Sequence, residues 1–152
     1  MTGSSLRLLA ALATCFSLSL AACGAKDAAT NAPQAPAVAS LQSIVLKPGE
    51  GTAIIAGQLA VVQYTGWLYD TAAIDHKGKL FDSSQGTGKP FSFPVGTGSV
   101  IRGWDQGVVG MKVGERRRLI IPPDLAYGDA GAGGVIPPGA TLVFDIELVR
   151  IE

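Results

Sequence analysis

Apolar and polar residues alternate near the end of the chain. In Thr141 to Ile151, TLVFDIELVRI, Leu142, Phe144, Ile146 and Leu148 share one face, and Asp145 and Glu147 share the other. That pattern predicts a long strand buried on one side. Leu59 to Leu68, LAVVQYTGWL, is β-branched and aromatic and predicts a second long strand. Shorter runs predict further strands. They are Ser43 to Leu46, stopped by Pro48-Gly49, then Leu80 to Asp82 and Phe91 to Val95 around the turn segment SSQGTGKP, and Glu115 to Ile121. The period changes in Gly98 to Met111, GSVIRGWDQGVVGM. There Trp104, Val108 and Met111 stand at i, i+4 and i+7 and predict one short helix with that face inward. Tyr69 to Lys79 is polar and irregular and predicts a bulge or exposed loop, and Gly128 to Gly134, GDAGAGG, predicts a flexible flap. Many short strands and one short helix predict an α+β fold, a bent antiparallel sheet wrapped around the helix.

The start of the chain has a different composition. Leu8 to Ala22 is a run of Leu, Ala, Ser, Thr and Phe with one Cys, and Arg7 is the only charge before Lys26. The run is shorter than the ~20 apolar residues of a membrane-spanning helix and predicts a secretory leader over residues 1–22. Its close, Leu20-Ala21-Ala22-Cys23, resembles a bacterial lipobox. That resemblance implies cleavage before Cys23, lipidation of its thiol and anchoring to a membrane of the bacterial cell envelope. Residues 23–40 then read as the lipidated cysteine and a flexible tether rich in Ala and Pro, and residues 41–152 as one globular domain. Both cysteines, Cys15 and Cys23, precede the globular domain, so the domain offers no disulfide, thiol nucleophile or thiolate metal site.

Charge and the remaining polar residues exclude several chemistries. Lys+Arg and Asp+Glu are both 12, which gives no electrostatic reason to expect nucleic acid. Arg116-Arg117-Arg118 is split across two faces by strand alternation and reads as a solvated strand face rather than a basic patch. His76 is the only histidine, so neither a metal site nor a catalytic triad is assembled around it, and it reads as a solvated loop residue. Gly88-Lys89 and the flap glycines do not fit phosphate-loop spacing. No metal and no cofactor are expected. What remains is aromatic: Tyr64, Phe81, Phe91, Phe93, Trp104, Tyr127 and Phe144 come from different elements, with Asp82 beside Phe81. Trp104, flanked by glycines, suits the floor of an apolar pocket. Taken alone it suits a large core residue better.

Seven blocks in order carry a family resemblance. They are Tyr64-Thr65-Gly66, Phe81-Asp82-Ser83-Ser84, Lys89-Pro90-Phe91, Val100-Ile101-Arg102-Gly103-Trp104, Ala126-Tyr127-Gly128, Ile136-Pro137-Pro138 and Thr141-Leu142-Val143-Phe144. Together they resemble an FKBP-type peptidyl-prolyl cis-trans isomerase domain over about residues 41–152. The resemblance implies Tyr64, Asp82 and Phe144 as catalytic residues. It implies Phe81, Phe91, Val100, Ile101, Trp104, Tyr127 and Ile136 as residues that hold substrate or a macrolide. Trp104 would be the floor, Asp82 would face the twisting amide and bond to Tyr64, and the Ile101 N–H and Tyr127 hydroxyl would hold ligand carbonyls. The implied partners are proline-containing polypeptides, with rapamycin or tacrolimus as inhibitors, and the implied task is folding of exported or cell-surface proteins. The chain departs from the family's pattern in its longer segment between Tyr69 and Lys79. It also has Thr87 where the family often has Arg, and Ala132 where the flap often carries a bulkier side chain. The rival reading is a membrane-tethered chaperone or binding module that uses the same pocket without significant catalysis.

Overall fold

The computed structural model describes residues 38–152. The leader over residues 1–22, Cys23 and most of the tether lie outside the described residues. Among the described residues the strands are β1 (Gln42–Lys47), β2 (Leu59–Tyr69), β3 (Lys77–Ser83), β4 (Phe91–Pro94), β5 (Arg116–Ile121) and β6 (Leu142–Ile151), with one α-helix, α1 (Arg102–Gly107), and short 3-10 turns. They form a six-stranded antiparallel sheet in the order β1-β5-β6-β2-β3, with β4 also on β2. The expected architecture, a sheet around one short helix, is what the chain forms.

Strand β2 organises the sheet because it has three partners. One edge pairs with β6 along its whole length. The other edge is shared: Leu59 to Val62 pair with β4, and Thr65 to Tyr69 pair with β3. The β2–β3 register slips on both sides of Trp67, and such irregularities bend a strand pair and increase its twist. The alternation of β6 is realised: Leu142, Ile146 and Leu148 are fully buried, and Phe144 nearly so.

Helix α1 lies on the inner face of the sheet against β5. It is shorter than the i, i+4, i+7 pattern predicts. Val108 caps it, with its N–H on the Trp104 carbonyl, and Met111 follows a further turn. Gly110, at φ 81°, supports the reversal at a backbone angle that side chains rarely adopt. Trp104, Val108 and Met111 are all buried nonetheless. What sets the depth of the helix is a pair of glycines four residues apart. A Cβ on Gly103 would overlap the Ile121 side chain, and one on Gly107 would overlap Leu119. Ile54, in a segment with no strand pattern, is fully buried, and its backbone N–H and C=O bond Met111 O and Gly110 N at 2.8 and 2.9 Å.

Of the three arginines of β5 only Arg116 is solvated, paired with Glu147 at 2.8 Å; Arg117 and Arg118 are largely withdrawn from solvent. Arg117 points inward along the line of Leu119 and Ile121. It donates to the Gly107 carbonyl at 2.8 Å and the Val109 carbonyl at 3.3 Å, and to Glu115 Oε1 at 2.7 Å. It therefore satisfies carbonyls that a helix end leaves unpaired. Arg118 is buried on the outer face, where its guanidinium grips both Asp145 oxygens at 2.7 and 3.1 Å. Lys77 reaches the same carboxylate at 2.6 Å and lies 4.3 Å above the Trp67 ring. Asp75 reaches Arg118 at 3.3 Å. The segment between β2 and β3 is thus pinned at its end to the outer face of the sheet. Asp75 and His76 both have φ 58°, and exposed His76 stacks on Tyr69 at 4.8 Å. That stacking refines the expectation of a free loop residue.

Burial alone would raise the Asp145 pKa, but hydrogen bonds from Arg118 and Lys77 outweigh it and hold the carboxyl below its usual value. A depressed acid stabilises the fold fully above the unfolded value near ~4, and the contribution is lost as pH falls through the folded value. Asp145→Asn should cost about 2 kcal/mol at neutral pH, between the exposed and buried limits for ion pairs. It should also flatten the decline in stability below about pH 4, read by denaturant melts across pH. An unchanged acid slope would show that the network does not govern it. Gly107→Ala should destabilise by roughly 1–3 kcal/mol through overpacking against Leu119, measured by the same melts.

Candidate functional site

Trp104 sits on α1 under a ring of aromatic side chains from four strands. It is 4% exposed. Its ring lies 5.0 Å from Tyr64 (β2), 5.2 Å from Phe144 (β6), 5.4 Å from Phe93 and 6.1 Å from Phe91 (both β4). Most of these contacts are edge-to-face, the arrangement that aromatic quadrupoles favour. Phe81 of β3 meets Phe144 edge-on at 5.5 Å. Gly66 makes that meeting possible, because a Cβ there would come within 2.7 Å of Phe144 and 2.8 Å of Phe81. The indole N–H of Trp104 has no acceptor among the described residues.

The result is a cavity of about 310 Å³ on the inner side of the sheet, lined by Tyr64, Phe81, Asp82, Phe91, Ser99, Val100, Ile101, Trp104, Tyr127 and Phe144. The structure thus brings together every described residue expected at the site except Ile136. Ile136 is 6% exposed and packs in the core, and it borders a different concavity under the flap. An isolated bridge between Ala132 and Ile136 folds the flap back on itself and turns Ile136 inward. Cys23 lies outside the described residues.

Polar groups at the cavity are few. The Tyr64 hydroxyl donates to Asp82 Oδ2 at 2.7 Å, and the Ser83 N–H donates to Asp82 Oδ1 at 2.9 Å. Burial, then the hydrogen bond and charge of Asp82, then Tyr127, push the Tyr64 phenol well above its ordinary pKa. Among the described residues the Ile101 N–H and the Tyr127 hydroxyl make no hydrogen bond within the protein. No group of three or more histidines, cysteines or carboxylates there could hold a metal ion.

Three residues that the sequence reading did not single out belong to the site. Ser99 lines it. Buried Ser84 accepts the Tyr64 N–H at 2.8 Å, and its own N–H donates to the Tyr64 carbonyl at 3.1 Å, clamping β3 onto β2 beside the Tyr64–Asp82 pair. Asp105, next to Trp104, accepts the N–H groups of Gly96 and Gly98 at 2.9 and 2.7 Å. It thereby fixes the loop that carries Val100 and Ile101. Ser84 and Asp105 act on backbone groups brought near by folding, so only their presence inside quoted or helical segments could have signalled them.

An apolar, aromatic concavity with one carboxylate and no activated nucleophile suits the binding of an apolar group or a reaction that needs no proton transfer. Comparison with known proteins agrees with the geometry. Residues 51–149 match the family of FKBP-type peptidyl-prolyl cis-trans isomerases. The chain belongs to that family and is an enzyme of that class. It is 48% identical over 113 residues to Peptidyl-prolyl cis-trans isomerase Fkbp12 of Drosophila melanogaster, which covers 74% of this chain and 98% of the fly protein. It is 56% identical over 97 residues to FK506-binding protein 2B of Rhizopus delemar, covering 64% of this chain. The chain spans only 44% of that relative's length. The crystal structure of AtFKBP13 superposes with a TM-score of 0.64 at 39% identity, covering 76% of this chain and 96% of that one. The fly and mould relatives are eukaryotic FKBPs, and this overturns the expected placement as a lipid-anchored protein of a bacterial cell envelope.

A phenol whose folded pKa is raised stabilises the fold below the ordinary value near ~10, and the contribution is lost as pH rises through the folded value. At about pH 10.5, Tyr64→Phe should leave the phenolate absorbance of the folded protein unchanged. A clear drop would show that Tyr64 ionises normally and that the Asp82 bond is not maintained.

Proposed function

We propose that the Trp104 cavity is where this isomerase rotates X–Pro peptide bonds, with a proline ring seated on the indole and the preceding carbonyl turned among the surrounding rings. One observation carries this reading: a buried indole floor under aromatic walls, with Asp82, bonded to Tyr64, as the one charged side chain of the lining. The reaction needs no acid, base or nucleophile. Its barrier of roughly 18–20 kcal/mol comes from amide resonance, which makes the planar amide polar and its uncatalysed rotation slow, on the order of tens to hundreds of seconds. A twisted amide has lost resonance and charge separation, so an apolar cavity binds it better than the planar form. That difference lowers the barrier.

In this reading Tyr64, Asp82 and Phe144 contact the rotating group. Phe81, Phe91, Val100, Ile101, Trp104 and Tyr127 hold the ring and flanking chain. The free Ile101 N–H and Tyr127 hydroxyl take carbonyls of the ligand, and Asp82 faces the twisting amide. Substrates are proline-containing polypeptides, and residues 41–152 act as the catalytic domain. Macrolides such as rapamycin or tacrolimus occupy the same cavity and compete with peptide. The names of the FK506-binding relatives support that reading.

Asp82→Leu and Phe144→Tyr should each lower kcat/KM for an X–Pro peptide by about ten- to a hundredfold, roughly 1.4–2.8 kcal/mol of transition-state stabilisation. His76→Ala should change little. Circular dichroism and melting must show both pocket variants folded, since Phe144 is also core. Wild-type rates in both folded variants would place the chemistry elsewhere. A folded wild-type chain that binds rapamycin but does not accelerate isomerisation would favour a binding module.

A further inference from the structure

Asp82 is the one charged side chain among the residues that line the cavity. Its two oxygens each accept a single neutral donor, the Tyr64 hydroxyl at 2.7 Å and the Ser83 N–H at 2.9 Å. An ionised carboxylate has about four acceptor positions, so about half remain open. No lysine, arginine or histidine among the described residues pairs with it. Other carboxylates of the sheet are treated differently. Asp145 has Arg118 and Lys77, Glu147 has Arg116, and Glu115 has Arg117. Thr87, five residues on, turns its hydroxyl to the Ser84 carbonyl at 2.9 Å. The mouth of the cavity therefore carries an acid whose charge nothing in the fold neutralises, and Asp82 is exposed there.

We infer that this carboxylate selects substrates with a cationic side chain, lysine or arginine, at the residue just before the proline. The inference rests on the isomerase reading of the Trp104 cavity. With a proline ring on the indole, the preceding Cα is only about 3.8 Å from the proline Cα. In the pose inferred here its side chain leaves at the lip where Phe81 and Asp82 stand. The methylene stem of a lysine packs along the Phe81 ring, and the ammonium reaches the open positions of Asp82. An acidic side chain at the same place meets like charge. The ion pair is exposed, so the selectivity is modest: about two- to fivefold.

The test measures isomerisation by NMR exchange, with no coupling protease, on the full chain and four peptides. These share one sequence and carry lysine, arginine, norleucine or glutamate before the proline; norleucine has the same four-carbon stem as lysine without the charge. At about 0.02 M salt the order of kcat/KM should be lysine and arginine above norleucine, and norleucine above glutamate. At about 0.5 M salt, where the screening length falls to roughly 4 Å, the differences should collapse. Asp82→Asn keeps an acceptor for the Tyr64 hydroxyl and removes the charge. Whatever its absolute rate, its lysine-to-norleucine ratio should fall to about one. A wild-type ratio of one or less at low salt, with norleucine peptide turned over normally, overturns this inference and leaves the isomerase reading intact. A lysine preference that survives in folded Asp82→Asn, or in high salt, also overturns it. If no peptide is accelerated, both the isomerase reading and this inference fail. If Asp82→Asn does not fold, the wild-type salt series decides the question alone.

Discussion

The close approach of α1 to β5 is the contact on which the rest of the site depends. Gly103 and Gly107 present bare backbone to Ile121 and Leu119. With larger side chains at those two places the helix would stand off the sheet, and the Trp104 ring would rise with it. The distances from that ring to Tyr64, Phe144 and Phe93, all between 5.0 and 5.4 Å, are set by this depth. Arg117 completes the arrangement by occupying the carbonyls at the end of the helix from the same face of β5. One strand thus supplies both the surface on which the helix rests and the donor that ends it.

The two faces of the sheet divide the labour between charge and apolar surface. The outer face carries the ion pairs, where Asp145, Arg118, Lys77 and Asp75 hold β3, β5, β6 and the segment before β3 in register. Around the cavity the inner face carries rings and a single hydrogen-bonded acid, and its Arg117–Glu115 ion pair lies at the C-terminal end of α1, outside the cavity lining. A reaction that moves no proton is served by this separation. Its transition state is less polar than its ground state, and a charge network inside the cavity would stabilise the wrong one. Ser84 and Asp105 reconcile rigidity with an apolar lining, because they hold backbone amides and leave the cavity surface to carbon.

Much of this was legible in the chain before any coordinates. The alternation of β6 and the β-branched run of β2 located the two central strands, and the change of period around Trp104 located the helix. The family resemblance of the ordered blocks implied the lining residues; aromatic character alone does not, since Phe93 is core and not lining. What was not legible depends on register. That Arg118 faces Asp145 follows from the pairing of β5 with β6. Neither segment announces the pairing, so three successive arginines read as solvated. Ile54 sits in a segment without period and is recruited to the core by two backbone bonds. Ile136 is implied as a residue that holds substrate or macrolide because it lies in a quoted block, but the bridge to Ala132 turns it into the core. The leader's lipobox pattern was a short local match, and the kinship of the domain to eukaryotic relatives outweighs it for location.

Helix α1 has six residues, well short of the roughly 12–15 that an isolated helix needs to persist in water. It cannot hold its shape before β5 is in place to receive it, and β5 is itself held by pairing with β1 and β6. The floor of the cavity therefore has no existence apart from the completed sheet. A partly assembled chain would have neither indole nor walls in position, so its population contributes nothing to turnover. For this protein, the rate of an added test reaction counts molecules with the assembled sheet, including its edge strand β3, which carries Phe81 and Asp82.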